Sequence, residues 1–478
     1  MPGATVGPAP GTEELPVRRD AAAHVARGPP GVAIETLAPE SFRNLAPHRC
    51  ELHPRLNLVV GDNGEGKTNL LEAVALAAGH PSFRTADLRA LAAGGARSAS
   101  VTVRTRPRDG EPGGVVAVRV EEGTRRHFWN GVRASQLETR RRLPAVFLTG
   151  ADLSRLSGPP SARRRALDRI SFSLEPRHVR DLAEYEKARG SKGRLLASPR
   201  SPDPDEIAAW DDAMAAAAGR VAASRRRALS VLALALRREA ARLGSPWESL
   251  LLSLESDLPA TGDAATLEKA FREAARERGA EERRAGRCLV GPHRDDVAAT
   301  WEGVPVSERI SSGENRTLVL AWTLAEAAIL TETAAGEGRP PLFAFDDFDS
   351  EWDPGILDTF ARTLGEEAQV LLTSARPDSL RGLPLPGGWL FRMEKGKLRH
   401  EGILGAGRAA RSAEPSDRPL QSGQLGQLGQ LVQLVQSEQS VQLVQLVQSL
   451  ESVPPIPSVP SLQALLPDPI QQVGQVAR

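Results

Sequence analysis

Short, continuous apolar runs alternate along this chain with longer segments of helical spacing. Three of these runs, at Leu56–Val60, Leu342–Phe345 and residues 370–373, are bounded by turn or polar residues, as is typical of fully buried strands. Helical patterns lie between them. Because strands that alternate with helices form parallel sheets covered on both faces, the pattern predicts an α/β core.

A second set of runs predicts a different kind of sheet. Residues 101–106, Val115–Glu121 and Thr124–Trp129 alternate or are β-branched, and the turn dipeptides Gly113-Gly114 and Glu122-Gly123 separate them. This spacing is typical of hairpins. We therefore expect a small antiparallel sheet in the first lobe of the protein.

The middle of the chain has the composition of a helical arm. Residues 158–287 are rich in Ala, Leu, Arg and Glu at helical spacing, with breaks near Pro202 and Pro204 and again at 259–262. The arm would divide an α/β head into an N-terminal part, 32–157, and a C-terminal part, 288–404. At 478 residues the chain is long enough for two or more lobes.

The two ends of the chain differ from the rest in composition. Residues 1–31 are rich in Ala, Gly and Pro, and residues 405–478 contain a Gln-Leu-Gly and Gln-Leu-Val repeat at 424–448 followed by a proline-rich end. Neither composition buries enough apolar surface to offset the entropy of ordering. We expect a disordered leader and a disordered low-complexity tail, with a partner-binding helix as the alternative for the tail.

Charge and cysteine content restrict the classes of function. Lys plus Arg number 61 against 60 Asp plus Glu, so the summed charge does not attract nucleic acid or an anionic membrane, and any DNA contact needs a local patch. Cys50 and Cys288 match no metal-ligand spacing, which suits a reducing cytosol. No apolar run approaches the ~20 residues that cross a bilayer. We expect a cytoplasmic protein without a membrane partner.

A glycine-rich segment after the first apolar run carries the strongest chemical signal. Residues 61–68, Gly-Asp-Asn-Gly-Glu-Gly-Lys-Thr, lie between that strand and a helical pattern at 69–78, the required context of a P-loop. Its glycines let backbone N–H groups turn towards phosphates at the positive end of a helix. We expect Lys67 to reach the terminal phosphates of ATP and Thr68 to offer its hydroxyl to Mg²⁺.

Two carboxylates, Asp346 and Asp347, follow the second apolar run in a Walker B pattern. Asp346 is expected to complete the Mg²⁺ shell, and Asp347 to orient or deprotonate the attacking water. An Asp pair after an apolar run can also be a solvated strand end. The P-loop upstream favours the catalytic interpretation.

Residues 311–314, Ser-Ser-Gly-Glu, begin a helical pattern that spans 315–330. By itself a serine at this position is an N-cap, although a helix start with glycine also binds anions. The position of the segment resembles the signature motif of ABC-type ATPases. The resemblance implies that Ser311, Gly313 and Glu314 contact the γ-phosphate held by a second subunit.

The long insert between Lys67 and Ser311 argues against two classes of ABC-type ATPase. Transport ATPases have a short insert and SMC-type proteins a long coiled coil, whereas residues 158–287 contain prolines and lack sustained heptads. Across about residues 33–404 the chain instead resembles the RecF family. The similar motifs are Ser41-Phe42-Arg43-Asn44-Leu45, Asn69-Leu70-Leu71-Glu72-Ala73, Ser82-Phe83-Arg84-Thr85, Gly158-Pro159-Pro160 with Arg163-Arg164-Arg165-Ala166-Leu167-Asp168, Gly291-Pro292-His293-Arg294-Asp295-Asp296, and Ser350-Glu351-Trp352-Asp353 in the place of the D-loop.

This resemblance implies an ABC-type P-loop ATPase head with an inserted helical arm. It also implies an ATP-dependent homodimer that binds gapped, single-stranded or junction DNA and helps to load recombinase, with the RecO and RecR mediators as partners. The family's roles in replication, DNA repair and the SOS response are expected with it. The nucleotide-binding residues expected on these grounds are Arg43, Gly61, Asn63, Gly64, Gly66, Lys67, Thr68 and Asn69.

Some positions depart from the family pattern. Trp352 replaces the leucine of the D-loop, Thr373-Ser374 stand where many ABC ATPases have a switch histidine, and residues 146–156 contain no glutamine for a Q-loop. We therefore expect slow, DNA-stimulated hydrolysis.

Two arginine runs are candidate contacts to DNA phosphates, although arginine runs are also common on solvated faces. They are Arg140, Arg141 and Arg142, and Arg163, Arg164 and Arg165.

Other classes of function remain open. One is a nuclease-linked ATPase of the overcoming-lysogenisation type, but no acidic Toprim-like cluster follows the head. Another is an SMC-like ATPase. The third is an adaptor that binds ATP without turnover, which the altered switch position favours.

Overall fold

The computed structural model describes residues 32–107, 112–154, 156, 158–198, 203–244, 247–333, 340–348, 354–363, 368–376 and 387–404. The strands are β1 (Ile34–Glu40), β2 (Cys50–Glu51), β3 (Leu56–Val60), β4 (Ser98–Thr105), β5 (Val115–Glu121), β6 (Thr124–Trp129), β7 (Val132–Ala134), β8 (Ala145–Leu148), β9 (Leu250–Glu255), β10 (Asp296–Trp301), β11 (Val304–Pro305), β12 (Leu342–Phe345), β13 (Val370–Ser374), β14 (Gly388–Glu394) and β15 (Lys397–Leu404). The helices are α1 (Lys67–Ala77), α2 (Gln136–Arg142), α3 (Pro160–Leu174), α4 (His178–Leu196), α5 (Pro204–Arg242), α6 (Ala264–Ala285), α7 (Val306–Arg309), α8 (Ser312–Thr333) and α9 (Pro354–Thr363). The predicted leader at 1–31, the tail at 405–478 and the D-loop at 350–353 lie outside the described residues.

A six-stranded sheet forms the centre of the head. Its order is β15-β14-β3-β13-β12-β8, and its strands are parallel from β14 to β8, with β15 antiparallel at the edge. The three strands predicted from apolar runs, β3, β13 and β12, are direct neighbours in this sheet. The predicted α/β core is therefore confirmed.

The central sheet is covered on both faces, which explains why its strands are apolar without alternation. On one face, Leu58 and Phe345 pack in a core with α3, α5 and α8. On the other face, Val59 and Ala344 pack in a core with α1 and a second sheet. That second sheet is antiparallel, with the order β2-β1-β4-β5-β6-β7, and confirms the predicted hairpins.

The arm is helical as predicted, with one exception. Residues Leu250–Glu255 form β9, which pairs with β10 in a three-stranded antiparallel sheet and aligns Glu255 with Asp296. The helical expectation at these residues is wrong because the partner strand lies about 45 residues away along the chain. Local spacing carries no information on such a contact.

One long helix contributes to two hydrophobic cores. Helix α5 is continuous over 39 residues. Its first half packs in an arm core around Met214 and Phe271, and its second half packs in the head core around Leu232 and Trp247. Head and arm therefore share one continuous helix.

A buried ionic network fastens the arm to the segment that returns to the head. Arg225 is 2% exposed and contacts Asp168 at 2.8 Å and Asp295 at 2.8 Å. One of its N–H groups also donates to the carbonyl of Pro292. Because a buried guanidinium needs such partners, this network fixes α3, α5 and the returning segment relative to one another. None of the helices in the described ranges is long and apolar enough to span a bilayer.

Candidate functional site

The P-loop joins the centre of the parallel sheet to α1, as the sequence predicts. Gly64 and Gly66 adopt φ values of 88° and 116°, which favour glycine. A Cβ on Gly66 would lie 2.9 Å from Oδ1 of Asn44. The loop therefore presents its backbone N–H groups at the N-terminus of a buried helix, which is a favourable position for phosphate.

Lys67 links the P-loop to the Walker B strand. Its ammonium group donates to the carbonyl of Gly61 at 2.8 Å and to that of Asp62 at 3.2 Å, and lies 4.0 Å from Oδ1 of Asp347. The side chain is 5% exposed, whereas that of Asp347 is 45% exposed. A buried cation thus faces a solvent-accessible carboxylate across the site.

Thr373 contacts both residues of the Walker B pair, the side chain of Asp346 and the backbone of Asp347. Its hydroxyl donates to Oδ1 of Asp346 at 2.8 Å and accepts from the backbone N–H of Asp347 at 2.8 Å. Thr373 therefore holds the acidic pair in place.

The same acidic pair fits a divalent cation. Burial is the main cause that raises the pKa of Asp346, and the nearby charge of Asp347 adds to it, while hydrogen bonds from Thr373 and Thr68 act in the opposite direction. A bound cation would stabilise the charged form of this carboxylate. Asp346 and the hydroxyl of Thr68 are thus the residues that would hold Mg²⁺.

A cavity of about 400 Å³ lies over the P-loop. Six of the predicted residues line it, together with Asp347 and Arg84. They are Asn63, Gly64, Gly66, Lys67, Thr68 and Asn69. Gly61, the first residue of the loop, does not line the cavity. Its carbonyl accepts a hydrogen bond from Lys67.

The guanidinium of Arg43 is paired with a carboxylate outside the P-loop cavity. Its guanidinium forms two 2.9 Å hydrogen bonds with the fully buried carboxylate of Glu72 on α1, which Ser82 also contacts. Arg43 does not line the cavity. The assignment of Arg43 to the nucleotide stays a prediction, and its guanidinium is held by Glu72 in this structure.

Sequence reasoning missed two residues at the P-loop. The amide of Asn44 donates to the carbonyl of Gly64 at 2.9 Å and accepts from Asn69 at 2.7 Å. Arg84 donates to Oδ1 of Asn69 at 2.5 Å and lines the cavity. Both lie in motifs that resemble the family, so the signal was present without a role assigned to it.

The turn of the hairpin between β14 and β15 is hydrogen-bonded to the P-loop. The N–H of Gly396 donates to the carbonyl of Glu65 at 2.9 Å, and the carboxylate of Glu65 accepts from the N–H of Lys395. Gly396 adopts φ +75°, and a Cβ there would lie 1.8 Å from the carbonyl oxygen of Asn44. Only glycine allows this close approach.

We expect Gly396→Ala to displace the turn from the P-loop and to weaken ATP binding several-fold. It should also lower the free energy of unfolding by about 1–3 kcal/mol, since the clash is with backbone and the φ value is strained. Titration with a fluorescent ATP analogue and thermal unfolding would measure both effects. Gly402→Ala in β15 is the matched control, because a Cβ there meets open space. Equal ATP affinity in both variants would contradict the supporting role.

The predicted signature residues lie at the exposed start of α8. The hydroxyl of Ser311 accepts from the N–H of Glu314 at 3.2 Å, and the carboxylate of Glu314 accepts from the N–H of Ser311 at 2.8 Å. This is a capping box. These hydrogen bonds lower the pKa of Glu314. Neither Ser311 nor Gly313 lines the P-loop cavity of its own chain.

The six candidate DNA-binding arginines are not equally available. Arg163 forms a bidentate ion pair with Asp296 at 2.6 Å, Arg164 donates to the carbonyl of Asp295 at 2.7 Å, and Arg140 donates to the carbonyl of Gly79 at 3.1 Å. Arg142 pairs with Glu138 at 3.0 Å. The expectation for Arg163 stays a prediction, and its ion pair with Asp296 makes it less available than the exposed arginines. Arg141 and Arg165 are exposed and remain candidates.

Comparison with known proteins shows similarity over head and arm. The profile described as RecF/RecN/SMC N terminal domain matches residues 33–384. The chain is 33% identical over 348 residues to the DNA replication and repair protein RecF of Myxococcus xanthus, which covers 71% of this chain and 90% of the relative. It is 33% identical over 323 residues to the protein of the same name from Deinococcus radiodurans, with 68% and 85% covered. A solved structure of the recombination mediator protein RecF-ATP in the RecFOR pathway has a TM-score of 0.70 at 22% identity, and covers 79% of this chain and 100% of that one.

Proposed function

Because the chain belongs to the RecF family, we propose that it is an ATP-dependent DNA-binding protein of recombinational repair and replication restart. Its curated relatives carry the name DNA replication and repair protein RecF. The observation that carries the proposal is the cavity in which Lys67 and Thr68 of the P-loop meet Asp347. This arrangement suits phosphoryl chemistry on a nucleoside triphosphate.

Each residue of the site has a defined role in this proposal. Backbone N–H groups of the P-loop and the ammonium of Lys67 bind the β- and γ-phosphates. Asp347 orients the attacking water, and Thr373 keeps its backbone in place. Mg²⁺, held by Thr68 and Asp346, supplies positive charge to the phosphates when it is bound. Hydrolysis is slow because no histidine stands at the switch position.

ATP serves mainly to join two heads in this proposal. Ser311 and Gly313 are exposed, and a Cβ on Gly313 would meet nothing within 4 Å, so the helix start is open to a second protomer. The ATP-dependent homodimer holds gapped, single-stranded or junction DNA between its arms and promotes recombinase loading with RecO and RecR in the cytoplasm. Hydrolysis then releases the DNA.

Sedimentation with ATP, ADP and DNA in all combinations tests the clamp. We expect dimers with ATP, monomers with ADP, and the largest species with ATP and gapped DNA together. Dimers of equal stability with ATP and ADP would contradict the proposed ATP-dependent clamp.

An ATP-binding adaptor without turnover is the second candidate. It is favoured by Thr373, whose hydroxyl is already engaged by the acidic pair and cannot act as a histidine would. Phosphate release measured with and without duplex DNA separates the two functions, since the adaptor releases none.

The trans role of Ser311 gives a sharper prediction. Ser311→Arg places a bulky cation where the partner's γ-phosphate would meet the hydroxyl and the helix N–H groups. We expect ATP affinity of the monomer to survive and ATP-induced dimers to vanish in sedimentation. Ser311→Asp keeps a capping side chain and should also prevent dimerisation, because its carboxylate would repel the phosphate.

Mixing Ser311→Arg with Lys67→Ala tests the geometry further. A mixed dimer has one site with both defects and one intact site, so partial ATPase activity should return. If Ser311→Arg instead weakens ATP binding by the monomer and leaves dimerisation at saturating ATP unchanged, the trans role is wrong.

A further inference from the structure

A second, larger cavity of about 580 Å³ lies between the head and the arm, away from the P-loop. Its walls come from the residues after α1, from α2 and β8 of the head, and from α3 and α4 of the arm. Much of the lining is apolar, with Phe83, Phe147 and Phe172 among its residues. Its size and concave shape are those of a site for a small organic molecule.

Three arginines and four carboxylates line this cavity. Each carboxylate has a protein partner, and Arg169, which pairs with Glu326, is itself one of the lining residues. Glu326 pairs with Arg169 at 3.0 Å, Asp168 with Arg225 at 2.8 Å, and Glu186 with Arg189 at 2.5 Å, while Asp152 accepts from Thr149 at 2.9 Å. Among the described residues, the guanidinium groups of Arg140 and Arg165, which also line the cavity, have no carboxylate within ion-pair distance.

Arg140 lies in the cavity wall close to two other arginines, Arg169 and Arg125, and to the carboxylate of Glu326. Burial, and after it the charge of Arg169, lowers the pKa of Arg140 to about 10, while the charge of Glu326 acts in the opposite direction. Burial and the charges of Arg140, Arg169 and Arg125 hold the pKa of His80 well below its usual value. An anion bound to the guanidinium of Arg140 would offset the cost of its burial.

The cavity also contains a buried polar atom without a protein partner. His178 is 1% exposed and contacts Asp168 through Nε2 at 3.0 Å. Its Nδ1 has no hydrogen-bond partner in the described part of the chain. A buried imidazole nitrogen of this kind needs a ligand or water atom.

We propose that this cavity binds an aromatic anion, a ring system that carries a phosphate or carboxylate group. Arg165 and Arg140 bind the anionic group, since a guanidinium matches the planar or tetrahedral oxygens of both groups. The guanidinium of Arg140 already lies over the ring of Phe172, with 5.3 Å between its central carbon and the ring centroid. The phenylalanine side chains pack on the ring of the ligand. The proposal does not depend on the role assigned to the P-loop.

Calorimetric titration of the full chain with thymidine monophosphate tests the site. The P-loop is first saturated with Mg²⁺ and a non-hydrolysable ATP analogue. We expect one molecule to bind per chain, with thymidine and inorganic phosphate each at least tenfold weaker, or about 1.4 kcal/mol. No binding of the monophosphate, or equal binding of thymidine, would overturn the proposal.

Variants of exposed residues locate the site without disturbing the fold. Arg165→Gln should weaken binding at least tenfold, and Ala183→Trp, an exposed lining residue, should abolish it by filling the cavity. Arg141→Gln is the control, because Arg141 is exposed on α2 outside the cavity, and its affinity should be unchanged. Unaltered binding in both test variants would place the ligand elsewhere and refute the proposal.

The ligand could be a free molecule or one unit of a DNA strand, and both have the proposed chemistry. An oligothymidylate added to the saturated protein distinguishes them. Displacement of the monophosphate supports the strand. Absence of displacement supports the free molecule.

Discussion

Lys67→Ala is expected to lose ATP-dependent dimerisation entirely. The terminal phosphates lose the only ammonium group of the P-loop, a charge-assisted contact of about 1.5–3 kcal/mol, so ATP affinity should fall roughly 10- to 100-fold. The proposed dimer contains two ATP sites, so the loss of binding free energy applies to both. Equilibrium ATP binding and sedimentation with saturating ATP would measure both effects.

The Lys67→Ala chain itself should still fold. The ammonium donates to two carbonyls of the loop, at 2.8 and 3.2 Å, and these bonds are within one local segment. We expect a small change in thermal unfolding. Lys187→Ala, an exposed lysine on α4, is the control and should bind ATP and dimerise normally. Unchanged ATP affinity in Lys67→Ala would refute the P-loop assignment.

Asp347→Asn is expected to bind ATP and dimerise but to remain trapped on DNA. Loss of the carboxylate that orients water should reduce turnover by roughly 10²–10⁴-fold. Asparagine is a suitable replacement because Asp347 adopts φ 44°, a region that asparagine tolerates. Its backbone N–H can still donate to Thr373. Single-turnover phosphate release and the dissociation rate of labelled DNA would measure the two effects.

Asp346→Asn is the informative comparison for Asp347→Asn. Asp346 accepts hydrogen bonds from Thr373 and Thr68, so its loss should weaken nucleotide binding itself and leave no trapped dimer. Normal ATP hydrolysis by Asp347→Asn would show that another group orients the water.

Much of the fold could be predicted from local sequence because its determinants are local. The buried strands β3, β12 and β13 are short apolar runs, and both of their faces are covered. The P-loop follows from glycine spacing, since φ values such as the 116° of Gly66 restrict the residue type. The acidic pair follows from its place at the end of a strand.

The contacts that the sequence did not predict depend on partners distant along the chain. Arg43 was expected to bind the nucleotide, and its guanidinium is hydrogen-bonded to Glu72. The sequence gives no sign of this contact, because Glu72 lies within the largely apolar pattern of α1. Arg163 was assigned to DNA, yet it meets Asp296, 133 positions away. Local sequence does not show whether a carboxylate from elsewhere in the chain will pair with an arginine.

The hairpin that supports the P-loop has a consequence for synthesis of the protein. Strand β3 pairs only with β13 and β14 among the described strands, and both follow it by more than 300 residues. At ~5–20 residues per second, the ribosome needs roughly 15–60 s to deliver them. The antiparallel sheet, made entirely from the first 134 residues, can form during this interval. A nascent chain released before Gly388 would therefore carry a complete P-loop sequence and bind no ATP.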